Sequence, residues 1–236
     1  MLENYRVLEN LDEMTRINND YQGGLFIIDN ETTHDVENLS DFDPYTPQKF
    51  EEAYYISNGV EELCISKDYQ DSTYGCTVAA IRALGDYMDY LKEIGVYDNT
   101  RIIIVSDHGT QVSLFDNLIF SDIDAEWYNS LLMVKDFDST GLSTDYTYMT
   151  NADVPVIALE GIIEDPVNPY TGNPIDSDQK SEDIYVGYCP IEDETFWNPD
   201  FNQGNTFKYS DDTIWFRVIS GDIYNADNWV QTDKPD

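Results

Sequence analysis

The sequence has few basic residues, and this shortage excludes several classes of partner. Its 236 residues include 12 Lys and Arg against 47 Asp and Glu, which gives a formal net charge of −35 at pH 7. A charge of this sign and size repels phosphate backbones and anionic lipid surfaces. We therefore expect no nucleic acid among the partners of the chain.

Long apolar runs are also missing. No stretch approaches the roughly 20 apolar residues that span a bilayer, and residues 1–5 carry neither the basic nor the apolar region of a signal peptide. We expect no membrane contact from this segment. The composition still supports a folded core, because 41% of the residues are hydrophobic and 14% are aromatic, which argues against an acidic disordered chain.

Cysteine and histidine are scarce as well. Cys64, Cys76 and Cys189 match no zinc or redox spacing, and three widely spaced cysteines do not indicate a disulfide framework, so we expect structural cysteines without disulfide partners. The chain has two histidines, His34 and His108, so any chemistry that needs an imidazole must use one of them.

Hydrophobic periodicity predicts an α/β fold. Apolar residues at helical spacing predict two helices, at residues 4–18 and 77–94, and Gly95 is a natural stop for the second. Continuous apolar runs predict buried strands at residues 25–28 and 101–105, and residues 131–134 are a third strand candidate. This order is typical of a parallel sheet with helices on its faces, which binds ligands at the carboxyl ends of its strands.

The last part of the sequence has a different character. A short helix is predicted at residues 154–159, with Asn151 or Asp153 as its cap and Pro155 in its first turn. Beyond Pro166 the chain becomes acidic and aromatic, with alternating stretches such as residues 213–219. We predict two parts: residues 1–175 as the α/β domain, and residues 176–236 as a β-rich acidic terminal segment packed on it.

The residues that follow the strand at 101–105 could bind a metal. Asp107 and His108 offer a carboxylate and an imidazole, a combination suited to Mn²⁺, Mg²⁺, Ca²⁺ or Zn²⁺. Adjacent residues of a regular strand point to opposite faces, so both reach one ion only if the backbone turns, which Gly109 permits. A capped turn beside a surface histidine explains this short motif equally well.

A longer pattern surrounds this motif. Residues 80–109 resemble the sulfatase family of the alkaline-phosphatase superfamily, in which a helix and a Gly-X-Tyr-Asp-Asn-Thr turn feed a strand ending in Ser-Asp-His-Gly. The run is most similar to the membrane-anchored branch with lipoteichoic-acid synthases and phosphoethanolamine transferases. Residues 32–34 resemble its histidine loop, and residues 151–155 resemble a helix start that follows its metal strand. The resemblance covers roughly residues 5–175.

The resemblance implies a fold and a set of roles. Residues 1–175 would be the C-terminal part of an alkaline-phosphatase-like catalytic domain, a sheet with helices on both faces. Asp107 and His108 would be ligands of a divalent metal (Mn, Mg, Ca or Zn). His34 would contact the substrate and stabilise charge on the transferring group or the leaving group. The implied protein is a bacterial, membrane-anchored hydrolase or phosphoglycerol- or phosphoethanolamine-type transferase that acts on a sulfate or phosphate ester outside the cell.

The chain also departs from that family. The family's Thr, Ser or formylglycine nucleophile and the acidic metal ligand of its first strand have no counterpart here. Residues 110–114 lack a histidine that many sulfatases carry there. We therefore expect a C-terminal fragment of a larger enzyme, with its membrane anchor upstream and no activity of its own. A truncated sheet exposes an edge, which favours a homo-oligomer of the fragment.

Two other functions stay open. The chain could be a non-catalytic extracellular binding domain, with Ca²⁺ on the acidic loops at 41–43 and 121–124 or glycans on Trp197, Trp215 and Trp229. A solvated surface for the loops and core packing for the tryptophans explain these residues more simply. The chain could also be a pseudoenzyme or a structural domain that mediates assembly.

Overall fold

The chain divides into two compact units, one of residues 1–114 with 131–142 and one of residues 115–130 with 143–236. The computed structural model describes residues 2–18, 20, 23–34, 53–57, 60–65, 67–112, 118–120, 123–146, 148–167, 183–188 and 213–235. The predicted boundary at residue 175, and the predictions that concern Cys189, Trp197 and residues 41–43, lie outside the described residues.

Both units contain helices and short strands, which confirms a mixed α/β protein. The elements of the first unit are α1 (Leu2–Glu9), α2 (Leu11–Met14), β1 (Ala53–Ser57), β2 (Val60–Ile65), α3 (Lys67–Glu93), β3 (Ile102–Val105) and β6 (Leu132–Lys135). Those of the second unit are β4 (Ile119–Phe120), β5 (Ile123–Asp124), α4 (Val154–Leu159), β7 (Ile184–Tyr188), β8 (Ile214–Val218) and β9 (Trp229–Thr232). No described helix is both long enough and apolar enough to cross a membrane.

The first helices are shorter than the predicted helix at 4–18. Helix α1 ends at Glu9, α2 ends at Met14, and residues 15–18 are not helical. Thr15 is extended (φ −85°, ψ 136°), and its hydroxyl lies 2.6 Å from the Leu11 carbonyl oxygen and 2.9 Å from the Tyr87 hydroxyl. These side-chain hydrogen bonds compete with the backbone hydrogen bonds of the helix. The apolar periodicity therefore predicted a helix that was too long.

Helix α3 forms the core of the first unit. It extends from Lys67 to Glu93, so the helix predicted at 77–94 is confirmed and begins ten residues earlier. Its small residues Ala80 and Ala83 are buried against Leu8 and Leu11 of α1 and α2. Alanine allows close approach of the helices, and burying the two leucines removes their apolar surface from water.

Gly95 ends α3 through a Schellman motif. Its φ is +76°, its N–H donates to the Lys92 carbonyl, and the N–H of Val96 donates to the Leu91 carbonyl at 3.0 Å. This pairing satisfies two carbonyls at the end of the helix and requires a left-handed residue at position 95. The predicted stop at Gly95 is therefore confirmed.

Gly95→Ala is expected to destabilise the protein by roughly 1 kcal/mol, because an L-residue is strained at this φ although a Cβ would meet no atom within 4 Å. Gly85→Ala is the matched control on the same helix, where a Cβ also meets nothing within 4 Å. It should stabilise by roughly 0.5–1 kcal/mol, because alanine is the better helix former. Urea unfolding checks both; a change of the same sign in the two variants would contradict the motif.

Strand β3 confirms the strand predicted at 101–105, but its partner runs in the other direction. It pairs antiparallel with β6, with Ile103 opposite Val134 and Val105 opposite Leu132. The order of elements is typical of a parallel sheet, but this pair is antiparallel, because the chain returns to the same end of β3 before β6 begins. The strand is also less buried than predicted, since Val105 is 42% exposed. All strand pairs among the described residues are antiparallel.

The strand predicted at 25–28 is not formed. These residues belong to no strand, and their side chains are exposed by 68%, 87%, 87% and 53% in chain order. A buried strand requires a hydrogen-bonded neighbour and a covering layer, and no described strand pairs with this segment. The apolar composition of the run was therefore not sufficient to predict its burial.

The second unit is built on a three-stranded sheet in the order β7-β8-β9. Phe216, Val218 and Trp229 of this sheet are buried together with Leu118 and Ile123. The strand predicted at 213–219 and the helix predicted at 154–159 are both confirmed, the latter starting behind a Thr150–Asp153 capping box. Burial beside this core raises the pKa of Tyr128 to about 12.

Candidate metal centre

The carboxyl end of β3 is fixed by a pair of hydrogen bonds. The N–H of Ser106 donates to the Leu131 carbonyl at 3.0 Å, and the N–H of Leu131 donates to Oγ of Ser106 at 2.8 Å. These two bonds extend the pairing of β3 and β6 by one residue, from Val105 to Ser106. Because Asp107 follows Ser106 directly, the bonds also fix where the Asp107 backbone begins.

Asp107 and His108 lie in a bend directly after Ser106. Oδ1 of Asp107 accepts a hydrogen bond from the N–H of His108 at 2.9 Å, which turns the backbone out of the strand direction. The turn brings both side chains to one side, so that Oδ2 of Asp107 lies 3.7 Å from Nε2 of His108. The Asp107 side chain is 87% exposed and that of His108 is 39% exposed.

The His108 ring is oriented by the backbone. Its Nδ1 lies 2.6 Å from the Gly109 carbonyl oxygen, and because a carbonyl can only accept, Nδ1 carries the proton. In the tautomer with its single proton on Nδ1, Nε2 carries the lone pair and faces the Asp107 carboxylate. A metal-binding histidine has this arrangement, with one nitrogen toward the ion and the other held by a carbonyl or carboxylate.

The two donors fit a divalent metal in type and nearly in spacing. Two ligands at about 2.1 Å from a tetrahedral ion are ~3.4 Å apart, somewhat less than the observed 3.7 Å. Asp107 and His108 would hold the ion, and small rotations of these two side chains would shorten the distance between Oδ2 and Nε2 to that value. Within the described ranges, no group of three or more His, Cys, Asp or Glu side chains is placed to bind a metal.

His34 lies on a separate turn, which is built by Asn30. Oδ1 of Asn30 accepts from the N–H of Thr32 at 3.1 Å and from its hydroxyl at 2.6 Å, while Nδ2 of Asn30 donates to the Asn4 carbonyl at 2.8 Å. Thr32 is therefore buried, while His34 is exposed to solvent. The structure brings Asp107 and His108 together but does not include His34 in a metal-binding group with them.

Several cations of the first unit lie at the amino end of β3, away from Asp107. Arg101 binds the Asp136 carboxylate through Nη2 at 2.7 Å and stacks on Phe137, with 4.6 Å from its guanidinium carbon to the ring centre. The hydrogen bond from Arg101 lowers the pKa of Asp136. Lys135 donates to the carbonyls of Tyr97 and Thr100. These charges stabilise the strand pair rather than the candidate centre.

The residues considered for calcium or glycans have structural roles where they are described. Asp124 is buried and accepts from the Glu126 N–H at 3.0 Å as the cap of a short turn. Trp215 and Trp229 are buried in the sheet of the second unit, as expected for core packing.

Ser106, Asn30 and Gln70 were not singled out from the sequence. Asn30 precedes Thr32 by two residues, a spacing typical of Asx turns that could have indicated its role. Ser106 and Gln70 act on residues 25 and 42 positions away, which no local pattern indicates.

Comparison of the chain with protein-family models, curated proteins and solved structures finds no match in any of the three.

Proposed function

We propose that Asp107 and His108 are metal ligands of a sulfatase-like hydrolase or a phosphoglycerol- or phosphoethanolamine-type transferase. The observation that carries the proposal is the bend after β3, which places Oδ2 of Asp107 3.7 Å from Nε2 of His108. Nδ1 of His108 lies 2.6 Å from the Gly109 carbonyl oxygen, so in the tautomer protonated at Nδ1 the lone pair of Nε2 is directed to the carboxylate side. The finer fold that we propose is the C-terminal part of an alkaline-phosphatase-like sheet.

The proposed substrate is an anionic sulfate or phosphate ester outside the cell. A bound divalent ion would offset negative charge on the oxygens of the transferring group. In a chain of net charge −35, an anionic substrate would otherwise be repelled. His34, exposed on its turn, would donate a hydrogen bond to the substrate or the leaving group. The nucleophile and the remaining metal ligands are proposed to come from segments with no counterpart in this sequence.

The metal proposal is tested with Mn²⁺, which broadens NMR signals of nearby nuclei. Because the chain has two histidines, its imidazole signals report separately on His108 and His34. We expect the His108 signal to broaden at the lower Mn²⁺ concentration. In Asp107→Asn, the Mn²⁺ concentration needed should rise by about tenfold or more, since one direct ligand is lost.

Asp98→Asn is the matched control, because it removes the same charge from an exposed residue near the amino end of β3. It should leave the broadening of His108 unchanged. Equal broadening of both histidines in the wild-type chain, or an equal effect of the two Asp→Asn variants, would show that Mn²⁺ only follows the general acidic charge and would overturn the proposal.

The chain alone is expected to show no turnover of an aryl sulfate or an aryl phosphate, because it holds two proposed ligands and no identified nucleophile. The measurement is release of the coloured phenol with Mn²⁺, Mg²⁺, Ca²⁺ or Zn²⁺ added in turn. Turnover that is lost in His108→Ala would contradict the expectation that the chain needs further segments. It would also require a nucleophile among these 236 residues.

A further inference from the structure

A buried glutamine on helix α3 contacts the loop that follows the candidate centre. Gln70 is 3% exposed, and its Nε2 donates to the Val112 carbonyl oxygen at 2.7 Å. The N–H of Val112 in turn donates to the Thr110 carbonyl at 3.1 Å, which closes a compact turn. Gln70 thus fixes the chain three residues after Gly109, whose carbonyl orients the His108 ring.

The orientation of the Gln70 amide is defined by this contact. The Val112 carbonyl can only accept, so the nitrogen of the amide must face it and Oε1 must point elsewhere. Oε1 is buried and has no hydrogen-bond partner among the described residues. The one hydrogen bond that the described residues give this side chain is therefore the bond to the loop after Gly109.

We infer that Gln70 is a positioning residue for His108. It holds the turn at Thr110 and Val112, this turn fixes the Gly109 carbonyl, and that carbonyl keeps the proton on Nδ1 of His108 and leaves Nε2 as the lone-pair donor. The link to metal binding rests on the function proposed above. The link to the protonation of the ring does not depend on it.

The test replaces the amide by a side chain of similar length that has no donor. In metal-free Gln70→Met at a pH where His108 is neutral, nitrogen NMR of the imidazole should show a smaller fraction of His108 with the proton on Nδ1. The Mn²⁺ concentration that broadens the His108 signal should rise by about tenfold, the scale typical of residues that orient a metal ligand. The His34 signal should not change.

Thr73→Val is the matched control on the same helix. The Thr73 hydroxyl is also buried and has no hydrogen-bond partner within the described ranges, so its removal is a similar change that leaves the Val112 contact intact. Both His108 measurements should equal those of the wild type in this variant. A change of the same size in Thr73→Val and Gln70→Met would overturn the inference, because it would indicate a general loss of order in α3.

The wild-type protein provides a second measurement that needs no substitution. The carboxamide protons of Gln70 should exchange slowly with solvent, and rapid exchange would overturn the inference. An unchanged proton position on His108 in Gln70→Met would overturn it as well. If the proton moves in Gln70→Met but Mn²⁺ does not select His108 in the wild type, the positioning role is supported and the proposed metal function fails.

Discussion

Trp229→Ala is expected to lower the free energy of unfolding by roughly 3–5 kcal/mol, the range for removing a large aromatic side chain from a core. Trp229 is 7% exposed at the start of β9, and its ring centre lies 5.7 Å from that of Tyr128 and 6.1 Å from that of Phe216. Its Nε1 donates to the Ile223 carbonyl at 3.0 Å. The substitution therefore leaves a cavity, removes one ring contact each from Tyr128 and Phe216, and takes away the hydrogen-bond donor of the Ile223 carbonyl.

Val230→Ala is the control on the same strand, one residue further along. Val230 is 41% exposed, so its truncation should cost no more than about 1 kcal/mol. Urea unfolding and amide exchange of β8 measure both variants. Equal losses in the two would mean that the sheet of the second unit does not pack around Trp229.

Ala80→Glu should have a similarly large effect in the first unit, roughly 3 kcal/mol or more. Ala80 is 8% exposed and packs with Leu8, Leu11 and Ala83. A glutamate there must either bury a carboxylate without a partner or force α1 away from α3. The amides of α1 should then exchange with solvent much faster than in the wild type, which is readily measured.

Ile81→Glu adds the same charge one residue later on α3, where the side chain is 39% exposed. Its effect should stay within about 0.5 kcal/mol, since surface substitutions rarely do more. If Ile81→Glu destabilises as much as Ala80→Glu, the charge itself rather than the α1–α3 contact limits stability. That result would count against the described packing.

The sequence predicted those elements whose signals are local. Helix α3 has a long apolar stripe and a glycine stop, and α4 has an early proline, so local residues were enough to predict both helices. The predicted cap at Asn151 or Asp153 was not confirmed: Asp153 makes no side-chain cap hydrogen bond to α4, and its carboxylate instead pairs with Thr150 in the preceding turn. Strand β3 was predicted from its apolar run, but its antiparallel pairing was not, because pairing depends on a segment nearly thirty residues away. The prediction of a buried strand at residues 25–28 was wrong for the same reason, because burial depends on other segments that cover the strand.

For the candidate centre, the sequence identified the chemical groups but not what orients them. Asp107 and His108 are adjacent in the chain, so a backbone bend is enough to bring their side chains together. That bend is present at these two residues. The contacts of Ser106 with Leu131 and of Gln70 with Val112 join distant residues. Such contacts arise from tertiary packing, which local propensity and spacing do not specify.

The chain leaves the first unit after β3 and returns at Leu131, which has a consequence for synthesis on the ribosome. At roughly 5–20 residues per second, synthesis of β6 is complete about 1.5 to 6 seconds after that of β3. During this interval Ile102, Ile103 and Ile104 lack their partner residues of β6, and the Ser106–Leu131 hydrogen bonds cannot form. The arrangement of Asp107 and His108 is thus among the last features of the first unit to form, and a nascent chain that pauses in this stretch exposes an apolar edge to other chains.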